Sequence, residues 1–369
     1  MTDNKINVAF YVDGSFLPIR NGTHYSIKTL MTALNKTGQI RPTLFINWRG
    51  WDNPTDYCNQ AFQTVFLPSS SQLPRDVTLA HALRMFNIDS IHIYNAEEII
   101  NLHNAIHATG TKLIYEAINI DHVLCSQLSD NEALQKQAYQ QQKRVTQLSD
   151  YILCRSDIDQ NHIVSMGIKP FKVKTYNGGI NIDDIRPVYH ERNKKNVVFM
   201  GHMYYPPNER ALRYIAGDIL PGLRAYEAKY TISIIGAVPE PMANDYRTQE
   251  LIFRGGTNNL DQELKRYGIA IAPLLEGSGT RLKILDYLAA GIPTISTSLG
   301  VEGLHPSIAD CVIIEDDLCK YAKIIRRLDT DIQAYDSLAK RGRKYVERYY
   351  NWDNNLDPFL ELYRKRDDM

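Results

Sequence analysis

The chain has 369 residues, 44% of them hydrophobic and 23% charged, which excludes a disordered or collagen-like polymer and leaves room for two domains. Lys+Arg and Asp+Glu each number 42, and residues 1–187 carry 17 of each sign, so no bulk nucleic-acid-binding face is expected. Five cysteines at 58, 125, 154, 311 and 319 form no CxxC pair, which argues against a disulfide framework or structural zinc and fits a reducing compartment. No apolar run approaches the roughly 18 residues of a membrane span. The run 6–12, cut off by Asp13, is too short for a signal peptide, so a cytoplasmic protein is expected.

From the N-terminus, strands are predicted over 7–12, 43–47, 64–67, 90–94, 112–117, 151–154 and 172–176. Several are apolar without alternation, as in strands covered on both faces. Helices are predicted over 26–36, 77–86 and 131–148, the last Gln-rich and read as exposed. The stretch 183–195, DDIRPVYHERNKK, is polar, contains proline and reads as a linker. The alternation then restarts: strands over 196–200, 231–235, 251–253, 270–272, 294–296 and 312–314, helices over 208–217, 260–267, 282–290, 318–327 and 332–348. Two doubly wound parallel sheets follow, and such sheets bind ligands beyond the carboxyl ends of their strands.

The segment 276–304, EGSGTRLKILDYLAAGIPTISTSLGVEGL, carries the clearest chemistry. A loop with Gly277, Ser278, Gly279 and Thr280 enters a helix whose first turn presents unpaired N–H groups to an anion. Arg281 and Lys283 add cations, one able to grip phosphate bidentately and one a point charge. Asp286 can accept hydrogen bonds from vicinal hydroxyls. The set suits a diphosphate plus a ribose; an ordinary strand–turn–helix with a solvated cationic turn is the competing reading.

GSGTRLKILDYLAAGIPTISTSLGVEGL resembles the donor-site segment of retaining glycosyltransferases with the two-domain GT-B fold, in glycosyltransferase family four. Two departures stand out. Asp286 replaces the usual Glu. In addition, Ser278, eight residues earlier, lies where the wider family has its first acidic residue. The stretch 196–208, NVVFMGHMYYPPN, resembles the first strand and loop of the C-terminal domain, with Gly201-His202 for the usual Gly-Arg and, roughly, Asn208 for a Lys. Asn208 also reads as a helix cap. The stretch 18–26, PIRNGTHYS, is similar to the family's Gly-Gly loop, with Asn21 in the first place and Gly22 in the second. Asn tolerates a left-handed turn there. His24 follows as an acceptor contact or an exposed turn histidine. In 112–123, KLIYEAINIDHV, Glu116 matches a family acid that would orient an acceptor hydroxyl or hold a loop. Asn119 falls in the usual polar pair, and spacing does not choose between Asp121 and His122. The stretches 149–185 and 345–363 resemble the turn into the linker, with Asn177, Gly178 and Gly179, and a terminal helix pair packing back on the N-terminal domain.

The resemblance implies an α/β GT-B enzyme with two Rossmann-like domains facing a cleft. Residues 1–187 would bind the acceptor, 188–345 the donor, and 346–369 would return towards the first domain. The donor contacts would be Gly22, Gly201, His202, Gly277, Ser278, Gly279, Thr280, Arg281, Leu282, Lys283 and Asp286, with Arg281, Lys283 and Glu116 taking catalytic parts. Asn21, His24, Asn119 and His122 would meet a glycan, lipid-linked, protein or small-molecule acceptor. The co-substrate would be a UDP-, GDP- or dTDP-sugar, with no cofactor, no catalytic metal and no nucleic acid. Contact with the inner face of a membrane would come through a lipid-linked acceptor. His103 and His107, four apart, are too few for zinc. The alternatives are a non-catalytic partner subunit or sugar-nucleotide binder and, less favoured, a sugar-nucleotide epimerase.

Overall fold

The computed structural model describes residues 5–17, 19, 21–50, 53–68, 70, 73–189, 192–257 and 259–364. Parts of the 18–26 loop (18 and 20), of the 183–195 linker (190 and 191) and of the C-terminal tail (365–369) therefore lie outside the described residues. Two units emerge. One comprises Met1–Pro18, Thr23–Gly179 and Trp352–Met369; the other comprises Ile19–Gly22 and Ile180–Asn351. The chain thus leaves the first unit after Gly179 and returns at Trp352, against the boundaries 187/188 and 345/346 read from sequence.

The first unit holds β1 (Ile6–Asp13), α1 (Gly22–Lys36), β2 (Ile40–Trp48), β3 (Gln63–Pro68), α2 (Arg75–Met85), β4 (Ser90–Ile93) and α3 (Ala96–His107). It continues through β5 (Lys112–Ala117), α4 (Asp121–Leu128), α5 (Glu132–Leu148), β6 (Tyr151–Cys154), α6 (Asp157–Ser165) and β7 (Val173–Thr175). All its strands pair in parallel, in the order β3-β2-β1-β4-β5-β6-β7. Sequence order reverses between β1 and β4. The continuous apolar run Val8–Val12 is buried, as two covered faces require. β2 begins before the expected Thr43, at Ile40, and takes in Pro42, which sits near the strand's start where proline is best tolerated. α1 begins at Gly22, four residues earlier than expected, and neither Asn21 nor Gly22 adopts a left-handed φ. The turn imagined for Asn21 is therefore not made.

The second unit holds β8 (Asn196–Met200), α7 (Pro206–Tyr214), α8 (Leu220–Arg224), β9 (Thr231–Ile235), α9 (Glu240–Tyr246), β10 (Leu251–Gly255) and α10 (Leu260–Leu264). After these come β11 (Ile269–Ala272), α11 (Leu282–Ala289), β12 (Thr294–Ser296), β13 (Ile313–Ile314), α12 (Tyr321–Thr330) and α13 (Ile332–Tyr349). Its parallel sheet runs β10-β9-β8-β11-β12-β13, with the reversal between β8 and β11. A five-residue π turn, Ile215–Ile219, joins α7 to α8. Pro221 has no N–H and its ring would crowd the carbonyl four residues back, so widening this turn lets the helical path continue.

The last helix, α14 (Asp357–Tyr363), belongs to the first unit. Tyr363 and Trp352 are both about 1% exposed. Gly179 lies flat on the Trp352 indole: a Cβ at this glycine would come within 2.3 Å of the ring. In the second unit, Ile180 and Asn351 form a parallel bridge, and Ile180 N donates to Tyr350 O at 2.9 Å. The outgoing and returning stretches of chain therefore run side by side.

Candidate donor site

The site lies at the reversal point of the second sheet, where loops after β8 and β11 leave the carboxyl edge in opposite directions and make a crevice. β11 is entirely buried, and the chain turns off it into the 273–281 loop. Gly277 (φ 130°) and Gly279 (φ 75°) adopt backbone that side-chain-bearing residues rarely take, which lets the loop double back before α11. Arg281, 8% exposed, locks that shape. Its Nη1 donates to Gly279 O at 2.7 Å and its Nη2 to Gly277 O at 2.8 Å. Glu302, at the end of the turn after β12, lies 3.5 Å from Nη1. The fork expected to grip phosphate is thus already committed in large part to the loop's own carbonyls. Glu276, just before the loop, pairs with Arg210 of α7 at 2.5 Å.

Lys283 projects from the first turn of α11 across the Phe199 ring, 4.3 Å from its centroid, and donates to Asn208 Oδ1 at 2.7 Å. Burial, and then the Arg281 charge, push its ammonium down to about 7. Asn208 Nδ2 donates in turn to His202 O at 3.1 Å. Gly201 must be glycine here, since a Cβ would fall 2.6 Å from the Asn208 amide. Asn208 is not the helix cap: α7 starts at Pro206 behind Tyr205, and Asn208 is buried in its first turn. Burial, and then the nearby Lys283, lower the His202 imidazole. Sequence spacing pointed at Asn208 without assigning it; the geometry makes it the link between His202 and Lys283.

Asp286, 5% exposed, sits deeper on α11. Burial alone pushes its carboxyl up to about 8. Its Oδ1 and the Thr280 hydroxyl are both buried without a hydrogen-bond partner among the described residues. Orphaned buried oxygens flanking Arg281 and Lys283 in the chain mark a place left for a polar ligand. The sequence reading missed Tyr287, whose hydroxyl accepts from Met200 N at 2.6 Å and ties α11 to the end of β8. It also missed Thr297, whose Oγ1 donates to Leu274 O at 2.5 Å and accepts from Gly300 N at 3.0 Å. These two bonds brace the loops after β11 and β12. The small and hydroxylated residues of GIPTISTSLG were the available signal.

In the first unit, Glu116 is sealed at the end of β5. Its Oε1 accepts from His92 Nδ1 at 2.8 Å and its Oε2 from the Tyr176 hydroxyl at 2.8 Å. With the proton on Nδ1, His92 Nε2 accepts from the Tyr363 hydroxyl at 2.7 Å. Both carboxylate oxygens are therefore used in holding β4, β5, the stretch after β7 and α14 together. His24 packs on Phe16, with ring centroids 5.1 Å apart. His122 stands half-buried at the start of α4, edge-on to Tyr139 and His162, and burial followed by the His162 charge lowers it. Asn119 is half-buried in the turn before α4. These residues do not converge on Glu116. Gln142, on the helix read as exposed, is buried: it accepts from Asp121 N at 2.9 Å and donates to the Tyr115 hydroxyl at 3.0 Å.

Among the described residues no group of three or more His, Cys, Asp or Glu side chains could hold a metal ion, and no helix is long and apolar enough to cross a membrane.

The architecture is that of GT-B glycosyltransferase structures, two Rossmann-like parallel-sheet units. Residues 194–331, which contain the whole donor-like loop, match the family profile described as Glycosyl transferases group 1. The structure of Anabaena Alr3699/HepE in complex with UDP and glucose superposes with a TM-score of 0.73 at 11% identity, over 97% of this chain and 99% of that one. Sucrose-phosphate synthase from Thermosynechococcus elongatus gives 0.73 at 15% identity over 98% of both chains. A Klebsiella pneumoniae protein described as an uncharacterized 44.6 kDa protein in the cps region is 25% identical over 165 residues, 42% of this chain and 42% of that one.

Proposed function

We propose that the chain is a retaining glycosyltransferase that takes a nucleoside-diphosphate sugar on its second unit. The observation that carries this reading is the buried Arg281 and half-buried Lys283 at the start of α11, flanked in the chain by the orphaned oxygens of Thr280 and Asp286. Lys283 meets the diphosphate, helped by the N–H groups of the α11 first turn. Arg281 acts by holding the Gly277–Gly279 loop in shape. Asp286 accepts from a ribose hydroxyl, and His202 and Asn208 orient Lys283. Glu116 has a positioning part in the first unit, where an acceptor hydroxyl would bind.

In the transfer step the bond from the sugar C1 to the departing phosphate oxygen breaks and a bond from C1 to the acceptor oxygen forms on the same face. The acceptor proton goes to the leaving phosphate. Negative charge grows on that phosphate as it departs, so a cation fixed there favours the transition state over the ground state. The UDP held in the Anabaena structure makes UDP the first nucleotide to try.

The test is a thermal-shift series with UDP, GDP, ADP, dTDP and CMP and their sugar conjugates. A ligand of the native state raises the melting temperature. Stabilisation by one nucleotide, abolished in Lys283→Ala, is expected. No response to any of them at millimolar concentration would overturn the reading.

A further inference from the structure

The far end of α11 is closed by two buried arginines that no requirement of the donor site explains. Arg343, on α13, is 8% exposed. Its Nη1 donates both to Ala289 O, the last residue of α11, at 2.8 Å and to Ile185 O at 2.7 Å. Its Nη2 reaches Ile182 O at 3.4 Å, and its Nε meets the half-exposed Glu347 carboxylate at 2.6 Å. Arg192 donates through Nη2 to Ala290 O at 2.5 Å, through Nη1 to Tyr267 O at 2.8 Å and through Nε to Val188 O at 2.7 Å.

Carbonyls at a helix C-terminus carry the negative end of its dipole, so cations suit the place. Burying a guanidinium is costly, however, and a capping glycine or water would satisfy the same carbonyls. What the rigid fork adds is a fixed spacing between the end of α11 and the backbone of Ile182–Ile185. That backbone belongs to the stretch by which the chain enters the second unit. Between its two ends α11 has no slack. Ile284–Ala289 are all buried, and Gly342 of α13 lies so close that a Cβ would fall 2.7 Å from Leu288 Cδ2. Eight residues make a rod of about 12 Å. One end carries Lys283, and the other is tied to the connection.

We infer that Arg343 is a positioning residue that couples the seating of a diphosphate at the start of α11 to the order of the connection Asn181–Val188. This rests on the donor-site reading above. Such coupling is reciprocal: whatever the nucleotide gains by ordering the connection, it loses when the connection is released. The amides that report it are Asp184, which donates to Asn181 O, Arg186, which donates to Asp261 Oδ1 at 2.9 Å, and Val188, which donates to Ala290 O.

The experiment is hydrogen exchange by mass spectrometry on the full chain, following the peptide 181–188 with and without saturating UDP, or GDP, ADP, dTDP or CMP where that is the nucleotide bound. In the wild type the nucleotide slows exchange there by about fivefold or more. In Arg343→Lys, which keeps the charge and loses the fork, the slowing disappears and the nucleotide affinity falls by a similar factor. In Glu347→Gln, which leaves the carbonyl contacts alone, the slowing persists. A purely structural arginine would change exchange equally with and without ligand. Bound nucleotide with unchanged exchange in the wild type overturns the coupling and leaves the donor site standing. Equal slowing in Arg343→Lys overturns it as well. If Arg343→Lys does not fold, the wild-type comparison decides. Failure of every nucleotide of the thermal-shift series to bind overturns the donor-site reading and the coupling with it.

Discussion

Replacing Asp286 with Asn should make the unliganded protein more stable. The Asp286 carboxyl is raised from 3.8 to about 8 by burial, so the fold prefers the protonated acid and the unfolded chain the ionised one. The sign follows. Below the unfolded value the residue costs nothing. As pH rises from about 4 to about 8 the cost grows, and above 8 it is constant. At about 1.4 kcal/mol per pKa unit, the interval from 3.8 to 7 corresponds to a cost on the order of 4 kcal/mol at neutral pH. Asn has the shape and the single donor-bearing tip of the protonated acid and carries no such cost. For a unit of this size, the gain corresponds to a rise in melting temperature on the order of 10 °C at pH 7, shrinking to roughly a third at pH 5. The assay is calorimetry of both proteins between pH 5 and 9, following the transition of the second unit, with and without nucleotide. An Asn variant no more stable than the wild type at pH 8, or a gain that does not grow with pH, would refute the reasoning.

Other outcomes follow from the same contacts. Lys283→Met should lose nucleotide-induced stabilisation without lowering unliganded stability at pH 7, because the ammonium, pushed down to about 7, is disfavoured by the fold at every pH below its ordinary 10.5; paired melts check this. Gly300→Ala places a Cβ 2.1 Å from Ser296 Oγ and 3.2 Å from Ala272 O, so urea denaturation should show a loss of about 1–3 kcal/mol from overpacking. Glu116→Gln removes a sealed carboxylate from His92 and Tyr176, and a loss of about 3–5 kcal/mol is expected in the same assay, confined to the first unit.

The alternation of apolar runs was enough to read both sheets, since parallel strands covered on two faces announce themselves by continuous burial. Segment 276–304 was equally legible, because a glycine-bearing turn, two cations and a carboxylate are contiguous in sequence. Helix boundaries differ from the expected 208–217 around the prolines. The Pro206-Pro207 pair opens α7 instead of delaying it, and the helical path runs past Gly217 to Arg224 through the π turn ahead of Pro221. The loop contacts of Arg281 were hidden for a different reason: its charge is visible in the sequence, but the carbonyls that hold it depend on the left-handed Gly277 and Gly279. The Glu116 network was out of reach, since His92 and Tyr363 stand 271 residues apart and nothing local in either stretch announces the other. The linker reading of 183–195 saw polarity and a proline. It could not see that Arg192 and Arg343 would pin that stretch to the second unit.

The side-by-side passage of the chain at Ile180 and Asn351 sets an order of events during synthesis. Domains emerging from a ribosome usually fold in the order they are made. Here the first unit still lacks part of its structure when its seven strands are made, because Trp352, against Gly179, and Tyr363, which donates to His92, come later in the chain. The second unit, nearly all of it one uninterrupted stretch, has every strand in hand before those residues leave the ribosome. A nascent chain cut short before residue 352 therefore carries a first-unit sheet whose His92 lacks the Tyr363 hydroxyl.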